Sequence, residues 1–151
     1  MIEYPDTSFI CASYRIQANH DEAVAYKRAM KEPLHFTSML EFEFLQATIY
    51  QVFVHTSDST KGFRRQLAEH ICGQWHFDCA TGVNVKVAYD PEAVTKLALA
   101  YSDLHTRHGG HRALDILHVA TAVHLGARTF LTFDARQKAL AKSAGLKVPF
   151  K

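Results

Sequence analysis

The sequence predicts an α/β fold, a three-layer sandwich with a mostly parallel central sheet flanked by helices. Two observations lead there. Short apolar, β-branched or aromatic runs at residues 2–4, 34–36, 83–87 and 129–133 alternate with longer helical segments, and strands separated by helices pair in parallel. No Gly/Ser-rich linker, internal repeat or long run of like charge divides the 151 residues, which read as one domain over 1–151.

Each element follows from local chemistry. Ile2-Glu3-Tyr4 reads as a first strand ended by Pro5, and Thr7 or Ser8 caps a helical turn running to Tyr14. Residues 20–32 are helical by content, with Asp21 and Glu22 at the positive N-terminal end and Pro33 closing the segment. Leu34-His35-Phe36 is a short strand. Thr37 or Ser38 caps a long apolar helix over 39–53, and a more polar helix follows over 58–76. Val83-Asn84-Val85-Lys86-Val87 alternates in the manner of a half-buried strand. Asp90 caps a helix with Pro91 at its first position, running to about Arg107 and stopping at Gly109-Gly110. Residues 112–125 form an apolar helix that Gly126 stops. Thr129-Phe130-Leu131-Thr132-Phe133 is a strand by composition. Asp134 opens a last helix ending near Gly145, and Leu146-Lys147-Val148 is a final strand.

Composition sets bounds. Hydrophobic residues at 48% and charged ones at 21% exclude a disordered chain. No run approaches the ~18 apolar residues of a membrane span. The first six residues lack a basic and apolar leader, which points to the cytoplasm, and three cysteines, Cys11, Cys72 and Cys79, point to reduced thiols. A net charge of +2 is too small to single out a nucleic-acid binder.

In parallel α/β sheets, ligands lie beyond the carboxyl ends of the strands. Asp6 and Asp134 each directly follow a strand, although each also reads as the cap of the next helix. Asp115 lies in Ala113-Leu114-Asp115-Ile116-Leu117-His118-Val119-Ala120-Thr121-Ala122-Val123, a segment apolar nearly all round and therefore expected to be buried. A buried ionised carboxylate needs a cation or a metal, and Arg112 or His111 offers a simple ion pair as the alternative. Glu41 and Glu43 stand about 200° apart on one helix, and periodicity leaves open which of them takes part. Acids without accompanying His or Cys suit Mg²⁺ or Mn²⁺ rather than Zn²⁺. Such an ion offsets the mutual repulsion of the acids and activates water beside a phosphate.

Asp6-Thr7-Ser8 behind the first strand, Phe42-Glu43-Phe44-Leu45-Gln46-Ala47, Leu114-Asp115-Ile116-Leu117-His118-Val119-Ala120-Thr121-Ala122, Thr129-Phe130-Leu131-Thr132-Phe133-Asp134-Ala135-Arg136-Gln137 and Ala144-Gly145-Leu146 occur in that order. Together they resemble the PIN-domain ribonucleases, especially the VapC-like toxins of toxin–antitoxin pairs. The resemblance implies a PIN-like fold and a Mg²⁺- or Mn²⁺-dependent endoribonuclease that leaves 5′-phosphate and 3′-hydroxyl ends. It implies that Asp6, Glu43 (in preference to Glu41), Asp115 and Asp134 are the catalytic, metal-holding acids. Thr7 and Thr132 would hydrogen-bond the carboxylates or the metal's water. The implied partners are an RNA substrate, an antitoxin that covers the acidic site, and a second copy in a homodimer. Residues 54–83 match no motif of the family.

Other residues carry weaker signals. His70, Cys72, His76 and Cys79 are zinc-type donors, but their spacing fits no standard pattern and they read as partly buried helix residues. Arg15, His111, Arg112 and Arg136 stand near proposed acids and read either as contacts to RNA phosphates or as solvated surface. Phe42, Phe44 and Phe53 read as core or dimer surface. Two other functions compete: a phosphohydrolase with Asp6 as phosphorylated nucleophile, for which Ser8 replaces the usual second acid, and a non-catalytic PIN-like binding module.

Overall fold

The computed structural model describes residues 2–151. In chain order its elements are β1 (Glu3–Pro5), α1 (Thr7–Tyr14), α2 (His20–Ala29), β2 (Leu34–Phe36), α3 (Ser38–Ser57), α4 (Arg65–Ala80), β3 (Asn84–Lys86), α5 (Pro91–Tyr101), a π-helical turn (Ser102–Thr106), α6 (Arg107–Gly109), α7 (Ala113–His124), β4 (Thr129–Leu131) and α8 (Ala135–Ser143). The chain falls into two compact units, one made of residues up to Phe9 with Val87–Lys151, the other of Ile10–Lys86. The α/β class with parallel strands is the one the alternating pattern predicts.

In the first unit β1 and β4 pair in parallel, with Tyr4 opposite Phe130 and Pro5 opposite Leu131. Asp6 N extends the ladder by donating to Leu131 O at 2.9 Å. On the other edge of β4, Phe130 N donates to Lys147 O at 2.8 Å, so the final strand expected at 146–148 is a single parallel bridge. Tyr4, Phe130 and Leu131 of this pair are buried, as are Ile116, Val119 and Leu140, and the rings of Phe9, Phe133 and Phe150 lie with centroids 4.5 to 6.1 Å apart. Asp90 caps α5 by accepting from Glu92 N and Ala93 N, with Pro91 in the first position where a missing N–H costs nothing. The single helix expected over 91–107 is instead α5, the π-helical turn and the short α6, ended by Gly110 at φ 62°.

In the second unit β2 and β3 pair in parallel, Leu34 opposite Asn84 and Phe36 opposite Lys86. Trp75 of α4 is fully buried against the rings of Phe36, Phe44 and Tyr14, at 4.8, 5.0 and 5.7 Å. The second long helix starts at Arg65, seven residues later than expected, for two local reasons. The Asp58 carboxylate accepts from both the N–H and the hydroxyl of Thr60, which turns the chain. Gly62 then takes φ 59° against Gln51, whose carbonyl oxygen would lie 2.2 Å from any Cβ there.

A polar knot crosses this unit. Tyr14 donates to Asp78 Oδ2 at 2.5 Å and accepts from Lys27 Nζ and Asn84 Nδ2, each at 2.7 Å. Burial, with Asp78 adding to it, pushes the Tyr14 hydroxyl well above its ordinary range. Burial also pushes Asp78 up, but the bonds from Lys27, Tyr14 and Gln74 outweigh it and leave its carboxyl below the usual range. Among the described residues, no helix is long and apolar enough to cross a membrane.

Candidate active site

The site is built around Asp6, which leaves β1 fully buried. Its Oδ1 accepts from Ser8 Oγ at 2.6 Å and from Phe9 N at 3.0 Å, so it caps α1 from beneath. Its Oδ2 accepts from Thr132 Oγ1 at 2.5 Å and from Gln137 Nε2 at 2.8 Å. The two hydroxyls are held in their donating roles by backbone amides. Phe133 N donates to Ser8 Oγ at 2.9 Å and Asp134 N to Thr132 Oγ1 at 3.0 Å. Burial pushes the Asp6 carboxyl above its ordinary range, opposed by the bonds from Ser8, Thr132 and Phe9 and by the nearby ring of His118. His118 is buried as expected of a core histidine, its ring 6.4 Å from that of Tyr4.

Asp134 stands two residues beyond Thr132 and is half-buried. Its Oδ1 caps α8, accepting from Arg136 N at 2.8 Å and Gln137 N at 2.9 Å. Asp6 and Asp134 are thus tied together through the Thr132 hydroxyl.

Asp115 corrects an expectation. It is half-exposed rather than buried, because α7 starts with Ala113 and Leu114 in solvent and its buried stretch begins at Ile116. Its partner is the backbone N–H of Arg112, 3.2 Å from Oδ2, not the side chain of Arg112 or His111. The residue closes the first turn of its own helix.

On α3 the structure separates the two glutamates. Glu41 pairs with Lys86 and accepts from Trp75 Nε1 at 3.4 Å, so it belongs to the packing of the second unit. Glu43, two positions on, is half-buried on another face. The cations are placed unevenly. Arg112 and Arg136 are exposed at the starts of α7 and α8. His111 is half-buried and folds back on Gly109, where a Cβ would lie 2.3 Å from its Nε2. Arg15, in the second unit, lies over the ring of Phe63 at 5.9 Å with its Nε buried. Thr7 is half-buried at the first position of α1.

Among the described residues, no three Asp, Glu, His or Cys side chains converge closely enough to hold a metal ion. This applies to the His70, Cys72, His76 and Cys79 group on α4, whose thiols are free, and to the four acids. The donor chemistry of the acids suits a hard cation: they are carboxylate oxygens, and among the described residues the hydrogen bonds go to Asp115 Oδ2 and Asp134 Oδ1 rather than to their second oxygens. Asp6 differs, because four donors fill the roughly four lone-pair positions of its carboxylate. A cation can reach it only in exchange for one of them.

Two members of the Asp6 network were not singled out from the sequence, Ser8 and Gln137. Ser8 lies in the Asp-Thr-Ser motif, but which hydroxyl turns inward depends on the first turn of α1. Gln137 lies 131 residues from Asp6, and its spacing of three from Asp134 was the one local signal, since it puts Gln137 in the first turn that Asp134 caps.

The PIN domain family profile matches residues 4–143. No curated protein matches the sequence significantly. Among solved structures, the chain is similar to VapC20 of Mycobacterium tuberculosis, described as a sarcin–ricin-loop-cleaving toxin. The TM-score is 0.66 at 14% identity, over 96% of this chain and 96% of that one. It is similar to FitAcB from Neisseria gonorrhoeae with TM-score 0.66 and 17% identity, over 98% of this chain and 96% of that one.

Proposed function

The chain belongs to the PIN domain family, and from that premise we propose that it is a Mg²⁺- or Mn²⁺-dependent endoribonuclease acting in the cytoplasm as the toxin of a toxin–antitoxin pair. The observation that carries this reading is the Asp6 network. A fully buried carboxylate sits at the carboxyl end of a parallel strand, where α/β proteins place their ligands, and two hydroxyls and an amide aim it. Burying a carboxylate without an arginine or lysine beside it opposes folding, and chemistry at the site accounts for keeping it.

In this reading Asp6, Glu43, Asp115 and Asp134 hold the cation. These residues would hold Mg²⁺ or Mn²⁺, which would supply charge neutralisation and an activated water. Thr132 and Ser8 fix the direction of the Asp6 oxygens, and Thr7 stands at the rim. Arg112 and Arg136, exposed beside Asp115 and Asp134, meet flanking phosphates, with His111 and Arg15 as further contacts. The description of VapC20 as a sarcin–ricin-loop-cleaving toxin supports RNA as substrate class, and the antitoxin partner rests on the resemblance to the toxins of toxin–antitoxin pairs. Phe42, Ile49 and Phe53, all more than half exposed, lie seven and four residues apart on one face of α3, which supports a homodimer.

One observation favours a second reading, the non-catalytic binding module: Asp115 and Asp134 each cap their own helix, and no three donors converge. The aspartyl-phosphate phosphohydrolase is disfavoured, because Ser8 stands where that chemistry usually wants a second acid. Sequencing RNA ends after incubation with Mn²⁺ separates them. Wild-type protein yields new 5′-phosphate and 3′-hydroxyl ends that Asp115→Asn or a chelator removes. Wild-type protein that binds RNA and yields no ends is a binding module.

A further inference from the structure

A cavity of about 320 Å³, open to solvent, lies within the first unit, with the π-helical turn and α6 on one side and α8 on the other. Leu104, His105 and His108 form one wall, on one helical face by their spacing. Ala139 and Ser143, four apart on α8, form the other, and the buried Leu140 adds apolar surface. His111 joins them by way of two glycines. Gly110 at φ 62° turns the chain back, and Gly109 makes room, since a Cβ there would lie 2.3 Å from Nε2 of His111. The fold gains little from the polarity of that ring: Nδ1 is buried with no hydrogen-bond partner, and an apolar side chain would pack there without that loss. Among the described residues the three imidazoles do not converge on a point where a metal could sit. The groove offers rings, apolar carbon and separate hydrogen-bonding atoms instead. The charge around it is one-sided. Residues 104–114 carry two arginines, three histidines and no acid, and Arg107 and Arg112 are exposed.

We propose that this groove is a nucleobase pocket: an unpaired base of a bound RNA strand enters between the two walls and stacks on the imidazole rings, while Arg107 and Arg112 meet the flanking phosphates. The one-sided positive charge favours a polyanion over a peptide segment. Rings with separate polar atoms take the face and the edge of a base, whereas a phosphate needs converging donors. The volume lies at the low end of small-ligand pockets, which suits one base. The groove thereby selects which stretch of a strand is held. This rests on the reading of RNA as the substrate class and requires no metal ion.

The test is binding of fluorescently labelled RNA in excess chelator, followed by anisotropy. Two probes are compared: a single-stranded oligoribonucleotide of mixed sequence, and a strand of the same length in which every base is replaced by hydrogen, so that only sugar and phosphate remain. Wild type is expected to bind the intact strand about tenfold more tightly, within the range for stacking one base. Ala139→Phe pushes a ring into the groove from an exposed position. His108→Ala removes a ring from the opposite wall, also at an exposed position, and decides the matter should Ala139→Phe not fold. Both variants are expected to reduce the preference to less than about threefold and to bind the base-free strand as wild type does. A preference unchanged in both overturns the proposal and leaves the RNA reading standing. So does a groove filled by a second copy of the chain, seen as a change in the sedimenting mass of Ala139→Phe with no change in RNA affinity. Wild type that prefers neither strand, or binds neither, also overturns it. If such protein in addition yields no new RNA ends with Mn²⁺, the RNA reading itself fails.

Discussion

Thr132 donates to Asp6 across 2.5 Å, and the same hydroxyl oxygen accepts the backbone N–H of Asp134. One side chain thus aims the first acid and anchors the last. Thr132→Val preserves the shape and strips away both bonds, leaving a buried carboxylate short of a donor. The expected loss of stability is about 2 kcal/mol, read from urea unfolding, with Thr132→Ser recovering most of it. A loss no larger than that of a surface substitution would show that the hydroxyl does not hold Asp6.

Of two glutamates two residues apart, only Glu43 is expected to matter for cleavage. Glu43→Gln lowers the RNA cleavage rate on the order of a hundredfold or more with little change in stability. Glu41→Gln leaves cleavage near wild type and costs about 1 kcal/mol or less, because it weakens the pair with the half-exposed Lys86 and the bond from Trp75. The reverse pattern would move the site to Glu41.

How much of this was legible in the chain follows from where the information lies. The strand at 34–36 and the cap at Asp90 were readable from local composition, and the strand expected over 129–133 is present but ends at Leu131. Asp6 was readable as an acid directly after a strand, at the carboxyl end of the sheet, whereas Asp134 stands three residues beyond the end of β4. The exposure of Asp115 was not, because an apolar sequence does not say which turn of its helix the neighbours cover. Periodicity left Glu41 and Glu43 open and only the resemblance favoured Glu43; the partner of Glu41, the indole N–H of Trp75, comes from 34 residues away and has no local signal. Gln137 needed the closure of a 131-residue separation. The start of α4 slipped because the turn at Asp58 and Gly62 depends on the carbonyl of Gln51, a partner earlier in the chain.

The Asp78 knot carries a pH signature. Its carboxyl lies below the ordinary value of 3.8 in the folded protein, so the unfolded chain binds a proton more readily. Its stabilisation is therefore fully present above pH 3.8 and is lost as the pH falls through the lowered value. Asp78→Asn removes this contribution, so its melting temperature is expected to fall less steeply than that of wild type below pH 4. Parallel acid limbs in the two proteins would contradict the assignment.

Gly62 and Gly82 both have positive φ, 59° and 77°, but only at Gly62 does a backbone atom block a Cβ. Gly82→Ala is expected to cost about 1 kcal/mol from backbone conformation alone. Gly62→Ala is expected to cost at least about 2 kcal/mol more, since the carbonyl of Gln51 must move. Equal melting temperatures for the two variants would show that the loop yields freely.

The pairing of β1 with β4 has a temporal consequence. The ribosome makes Asp6 early and Thr132 126 residues later, an interval of roughly 6–25 s at ordinary elongation speeds. For that time β1 has no strand beside it, and Asp6 lacks both donors to Oδ2. A nascent or prematurely terminated chain therefore carries no assembled Asp6 network until Thr132 and Gln137 have emerged.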